Sequence, residues 1–189
     1  MMLPRNLRGR LSLSRKRGVT IKKVNKKSTK NLLITALFAA TITALTLFPK
    51  IPAPPGYIHL GDSMIFLAAC ILPFPCALAA AAVGGALADY ISGYPLYIIP
   101  TIIVKSLITL PYSSKSERIL TIRNALMVFP AGLITLAGYF AATLILFDIN
   151  GAWTALLGDI SQVAGSSVLF LIIAAALDKI KFKQKFVKR

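Results

Sequence analysis

Asp62, Asp89, Lys105 and Asp159 are charged side chains set inside long apolar stretches of this 189-residue chain, with Tyr139 and Gln162 in similar surroundings. A charge at mid-bilayer costs ~2.5 to 3.5 kcal/mol on insertion scales, so each one retained is a functional candidate. Carboxylates and an ammonium at such depths can pair with each other, link to a transported ion, or read the polar edge of a small solute. Tyr94, Tyr97 and Trp153 supply rings that can stack on a flat ligand. Catalytic chemistry is not expected. The one histidine, His59, and the two cysteines, Cys70 and Cys76, make no convincing metal set. The cysteines flank Pro73-Phe74-Pro75, where reduced apolar packing is the expected role. There is no G-x-x-x-x-G-K-[ST] phosphate loop and no second half to pair as a transporter repeat, so neither a cofactor nor an internal energy source is expected.

Apolar helices must position these residues. The chain is 56% hydrophobic and 15% charged, with a mean hydropathy of +0.72, which argues for a membrane protein against a soluble or disordered one. The spacing predicts six transmembrane helices. The first runs from Asn31 to Phe48 and ends at Pro49 and the Pro52, Pro54, Pro55, Gly56 cluster. The second, Asp62 to Leu72, has eleven residues, a rise of ~17 Å against a hydrocarbon core of ~30 Å. It is expected as a short crossing. The third is Cys76 to Ile91, and the fourth, Leu96 to Leu110, is short and interrupted by Pro100. The fifth, Ala125 to Phe147, and the sixth, Ala152 to Leu177, meet at a turn, Asp148-Ile149-Asn150-Gly151.

The net charge of +16 comes from the ends. Residues 1–30 hold 11 Lys/Arg and no acid, residues 178–189 hold six against Asp178, and five of each sign cancel in residues 31–177. Three regions follow: a basic cytoplasmic tail, 1–30, a six-helix membrane domain, 31–177, and a second basic cytoplasmic tail, 178–189. The positive-inside rule then places both termini in the cytoplasm. It also places the Tyr112 to Asn124 loop inside, with Lys115, Arg118 and Arg123, and the acidic turn at Asp148 outside. A nucleic-acid arm is the rival for residues 1–30, but the tail has no aromatic residue for base stacking, and anionic lipid accounts for its charge. The run from Leu32 to Phe48 is expected as a retained first helix, not a cleaved signal.

Depth sorts the polar residues into the outer half, below a set of loop residues that includes Tyr57, His59, Tyr94, Tyr97 and Trp153. A pocket filled from outside is the reading. Blander roles stand beside it: Trp153 and Tyr57 as interfacial anchors, Asp62 and Asp89 as helix caps, and Lys105 as the neutraliser of Asp159 or Asp89. Small residues recur at Ala36, Ala40 and Ala44, at Ala77, Ala81 and Gly85, and at Gly84 and Ala88. Most are expected against another helix of the chain, with the first stripe also suited to a partner.

Tyr57-Ile58-His59-Leu60-Gly61-Asp62, Gly84-Gly85-Ala86-Leu87-Ala88-Asp89 with Ser92-Gly93-Tyr94-Pro95, Ile103-Val104-Lys105, Gly138-Tyr139-Phe140 and Ile160-Ser161-Gln162 together resemble the substrate-binding S components of energy-coupling factor (ECF) transporters. The likeness covers about residues 31–177 and is closest to the branch of riboflavin, hydroxymethylpyrimidine and pyridoxine carriers. It implies an all-α membrane protein of six helices with cytoplasmic N- and C-termini, in a bacterial-type plasma membrane, that binds a vitamin or its precursor. It further implies docking on a membrane coupling subunit with two ABC-type ATPases, through an Ala-x-x-x-Ala stripe matched here by Ala36 and Ala40. The basic N-terminal extension departs from the family pattern. On the depth argument, Tyr94, Tyr97, Tyr139 and Trp153 are expected to stack on a heterocycle while Asp62, Asp89, Lys105, Asp159 and Gln162 read its polar edge. The alternatives are a stand-alone ion-coupled carrier, with Asp89 or Asp159 as the ion-linked acid, and an assembly protein without a ligand.

Overall fold

Residues 26–48, 51–53 and 56–187 are described by the computed structural model; the basic stretch 1–25 lies outside the described residues. Helix α1, Lys26–Leu47, begins before the apolar run, taking in Lys26, Lys27 and Lys30, and it ends ahead of Pro49. A short antiparallel hairpin follows, β1 (Ile51–Ala53) and β2 (Gly56–Ile58), with Ile51 opposite Ile58. Helix α2 is Gly61–Ile71. Helix α3, Phe74–Ser92, starts after Pro73 with Pro75 in its first turn, where a missing N–H leaves nothing unpaired. It ends at Gly93, whose φ of 81° lies in the left-handed region, with Gly93 N donating to Tyr90 O and Tyr94 N to Asp89 O. This glycine-dependent closure holds Tyr94 beside the last turn of α3.

A 3₁₀ turn, Pro95–Tyr97, leads into α4, Ile98–Leu107. Pro100 does not interrupt the fourth segment as the sequence suggested: it sits in the first turn of α4, where proline is tolerated. Helix α5 (Ile122–Leu126) is capped by Thr121 and passes at Met127 into α6 (Val128–Leu146). Helix α7, Ile149–Lys179, has 31 residues. The expected four-residue turn before it shrinks to Asp148, whose Oδ1 accepts from Gly151 N at 2.6 Å as a helix cap.

Helices α1, α3, α4, α6 and α7 pack in that order, and α2 closes the ring between α7 and α1 while also touching α3. Ten of the eleven α2 residues are buried. That enclosure explains how so short a helix is accommodated: its free backbone ends meet protein, not lipid. Deep in the bundle, Tyr112 stacks on Phe66 at 5.1 Å, and Phe170 meets both rings edge-on.

The small-residue stripes divide. Ala77, Ala81, Gly84, Gly85 and Ala88 of α3 are buried, whereas Ala36, Ala40 and Ala44 of α1 are exposed. The side of α1 that meets α3 is instead Ala39, Ile42 and Thr43, and the Thr43 hydroxyl donates to Gly84 O at 2.9 Å. A methyl on Gly84 would lie 2.8 Å from Ile42 Cβ and 2.9 Å from the Ala39 carbonyl oxygen. Gly84→Ala is therefore expected to cost ~1–3 kcal/mol by forcing α1 and α3 apart, read as a lower unfolding midpoint in detergent.

The loop end opposite Tyr94 is pinned. Asn124 bonds both Ser113 N and Ser113 O, the Asp178 carboxylate accepts from Ile119 N and Leu120 N, and buried Lys183 donates to Cys70 O and Ser114 O. The segment after α7 thus folds back onto the bundle, at least as far as Lys183.

Among the described residues, four helices are long and apolar enough to cross a membrane, Ser28–Leu47, Phe74–Ser92, Ile122–Leu146 and Ile149–Lys179, with two shorter apolar helices, Gly61–Ile71 and Pro95–Leu107. Their outward faces carry large apolar side chains such as Leu33, Leu37, Ile103, Leu133, Ile145 and Ile172, which lipid covers and water would not. The chain is a helical, multi-pass integral membrane protein, with the small β-hairpin as its β structure among the described residues.

Candidate functional site

At one end of the bundle the α3 and α6 C-termini face the N-termini of α4 and α7 around a cavity of about 710 Å³. Helical spacing brings its polar wall together. Tyr97, Thr101 and Lys105 follow one another every four residues from the 3₁₀ turn through α4, as do Thr135, Tyr139 and Thr143 on α6. The two rows meet. Tyr97 OH and Thr143 Oγ1 are 3.0 Å apart, and so are Thr101 Oγ1 and Tyr139 OH. On α7 the corresponding row is Asp159, Gln162 and Ser166; Ser166 Oγ donates to His59 O, fixing the strand-to-helix turn at the cavity wall.

Behind that wall, Lys105 Nζ donates to Asp62 Oδ1 at 2.6 Å, and Gln162 Nε2 donates to Asp62 Oδ2 at 3.1 Å. Lys105 also lies 5.0 Å from the Tyr139 ring centroid. Both charges are nearly sealed from solvent, at 5% and 2% side-chain exposure. Asp62 occupies the first turn of α2 and Lys105 the last turn of α4, so each helix dipole favours the charge it carries. The expected partners of Lys105, Asp159 or Asp89, are thereby corrected: its hydrogen-bonded partner is Asp62. Asp62 is no solvent-facing cap.

Asp89 and Asp159 stand differently. Each lines the cavity, and each has a buried oxygen, Oδ2, with no hydrogen-bond partner among the described residues. An acceptor left bare in this way is ready for a donor brought by a ligand.

Residues 26–179 match the family described as ECF-type riboflavin transporter, S component. The chain belongs to that family. It is also 31% identical over 133 residues, 69% of this chain and 88% of the relative, to a protein of Pyrococcus woesei described as "Uncharacterized protein in gap 3'region". S components are the substrate-binding subunits of transporters, not enzymes, and in general they pair with a membrane coupling subunit and ATPases.

In this S component the cavity wall gathers Asp89, Tyr94, Tyr97, Tyr139, Asp159 and Gln162 of the residues singled out in the sequence. Asp62 and Lys105 lie behind the wall. Trp153 is not on it: the residue is 59% exposed and its ring meets Phe140 edge-on at 5.1 Å. Ala36 and Ala40 are not on it either, and lie on the exposed face of α1. The side chain of Tyr57 lies outside the described residues. Trp153→Phe is accordingly expected to shift ligand affinity by no more than about twofold, as for a surface exchange, measured by titration of the purified protein. The sequence reading passed over Thr101, Thr143, Phe147, Asn150 and Thr154, which also line the cavity. The signal for the two threonines was their spacing of four from Tyr97 and Tyr139, a matter of helix phase instead of depth.

Proposed function

We propose that this S component captures riboflavin, or a heterocycle closely related to it, in the cavity between α3, α4, α6 and α7, as the solute-binding subunit of an ATP-driven importer. The observation that carries the reading is the cavity itself, in a chain of the riboflavin S-component family. Its volume of about 710 Å³ falls within the ~300–1,000 Å³ range of small-molecule sites. Tyr94, Tyr97, Tyr139 and Phe147 offer ring faces, while Asp89, Asp159, Gln162, Thr101 and Thr143 offer polar contacts. Asp62 and Lys105 act through Gln162 and Tyr139 as positioning residues.

The chain crosses the plasma membrane six times, with α2 and α4 as the short crossings, both termini cytoplasmic and the cavity facing outward. Lys115, Arg118, Arg123, Lys179, Lys181 and Lys185 are exposed at the end away from the cavity, which supports that orientation. The charge of the basic regions 1–30 and 178–189, which bracket the membrane domain, 31–177, suits anionic lipid, apart from Lys183, which is buried against Cys70 O and Ser114 O. Ala36 and Ala40, exposed beside Leu33 and Leu37, suit close approach by the membrane coupling subunit, whose two ABC-type ATPases drive release inward. Equilibrium titration of the purified full chain with riboflavin tests the reading. Saturable one-to-one binding is expected, and no binding by folded protein would overturn it.

A further inference from the structure

Resting on the reading of the cavity as the solute site, we infer that it selects an uncharged or cationic solute rich in O–H or N–H donors and refuses the phosphate ester of that solute. Among the described residues, Asp89, Asp148 and Asp159 line the cavity, and no Lys or Arg does. The only imidazole on the wall is His59, one potential cation against three carboxylates. Two of those carboxylates present buried oxygens, Asp89 Oδ2 and Asp159 Oδ2, that nothing among the described residues satisfies. A hydroxyl or ring N–H of the solute would complete each of them. A phosphate oxygen brings no donor and adds like charge in a confined, poorly screened space.

The usual protein devices for holding phosphate are engaged elsewhere. Lys105, behind the wall, is committed to Asp62 at 2.6 Å and is absent from the lining. Each hydroxyl pair, Tyr97 with Thr143 and Thr101 with Tyr139, spends one of its two O–H groups internally, leaving at most one donor per pair. The N-terminus of α7 lines the cavity at Asn150 and Gly151, but Asp148 Oδ1 already accepts from Gly151 N at 2.6 Å. The approach to α4 carries Pro95 and Pro100, neither of which has an N–H to offer an anion. Selection by charge and by unpaired acceptors discriminates more sharply than selection by size, because the wrong ligand leaves buried polar atoms unmatched.

Riboflavin and riboflavin 5′-phosphate, titrated separately onto the detergent-purified full chain by quenching of flavin fluorescence, test this. The parent is expected to bind about 100-fold or more tightly than the ester. In Asp89→Asn/Asp159→Asn, the gap should narrow by about tenfold or more, mainly through tighter ester binding. Each single variant serves if the double variant fails to fold, as judged by gel filtration and thermal melting. Equal affinities of the unaltered chain for the two flavins would overturn the inference and leave the cavity reading standing. Binding of neither by folded protein would overturn the riboflavin reading, and this inference with it.

Discussion

Lys105→Met is expected to lower stability by ~3–5 kcal/mol, the cost of stranding a buried carboxylate without its cation. Asp62 is 2% exposed, and the substitution removes its ammonium partner while Gln162 Nε2 remains as a neutral donor to its carboxylate. The damage would also spread beyond the pair. Asp62 starts α2, the helix enclosed by α1, α3 and α7, so a shift there disturbs the centre of the bundle. Asp62→Asn/Lys105→Met removes both charges together and is expected to recover more than half of the loss. Denaturant or thermal unfolding in detergent, with all single and double variants, measures the coupling. A single variant as stable as the parent would show that the pair contributes no net attraction.

Asp159→Ala is expected to weaken riboflavin binding by about 10- to 100-fold, the loss of a hydrogen bond to a charged acceptor, while leaving stability within ~0.5 kcal/mol. The two expectations share one cause. Asp159 Oδ2 has no hydrogen-bond partner among the described residues, so truncation strands no donor there and removes what the ligand would use. This separates it from Lys105, whose loss leaves a partner behind. Isothermal titration beside a thermal melt distinguishes the outcomes: a large fall in melting temperature would make Asp159 structural, and unchanged affinity would remove it from the site.

Membrane class and helix order were legible because apolar runs broken by proline and glycine leave few other arrangements. Gly93 and Pro73 end and begin α3 where the sequence pattern placed the breaks. Proline position within a helix was harder to read. Pro100 breaks a helix in its interior but is harmless in the first turn, and the sequence alone did not show that α4 starts at Ile98. Depth counting found six residues of the cavity wall because charges and tyrosines near the ends of apolar runs are costly unless they face something polar. It could not find the pairing of Lys105 with Asp62, which are 43 residues apart and joined only by the way α2 and α4 pack. It also put Trp153 with the binding residues, since depth carries no information on which side of α7 a ring lies. Ala36 and Ala40 make the same point from α1: a stripe of small residues permits close approach, and its direction is set by the neighbouring helices. Phase, read as steps of four from Tyr97 and Tyr139, would have added Thr101 and Thr143.

Native mass spectrometry of the full chain, purified in detergent without partner subunits and offered riboflavin, tests the central claim most directly. The account predicts a one-to-one complex with a flavin in the unaltered protein and its loss in Asp159→Ala at the same ligand concentration. A folded, unaltered protein that carries no flavin, or one whose Asp159→Ala form retains it equally well, would contradict the cavity as the site of capture.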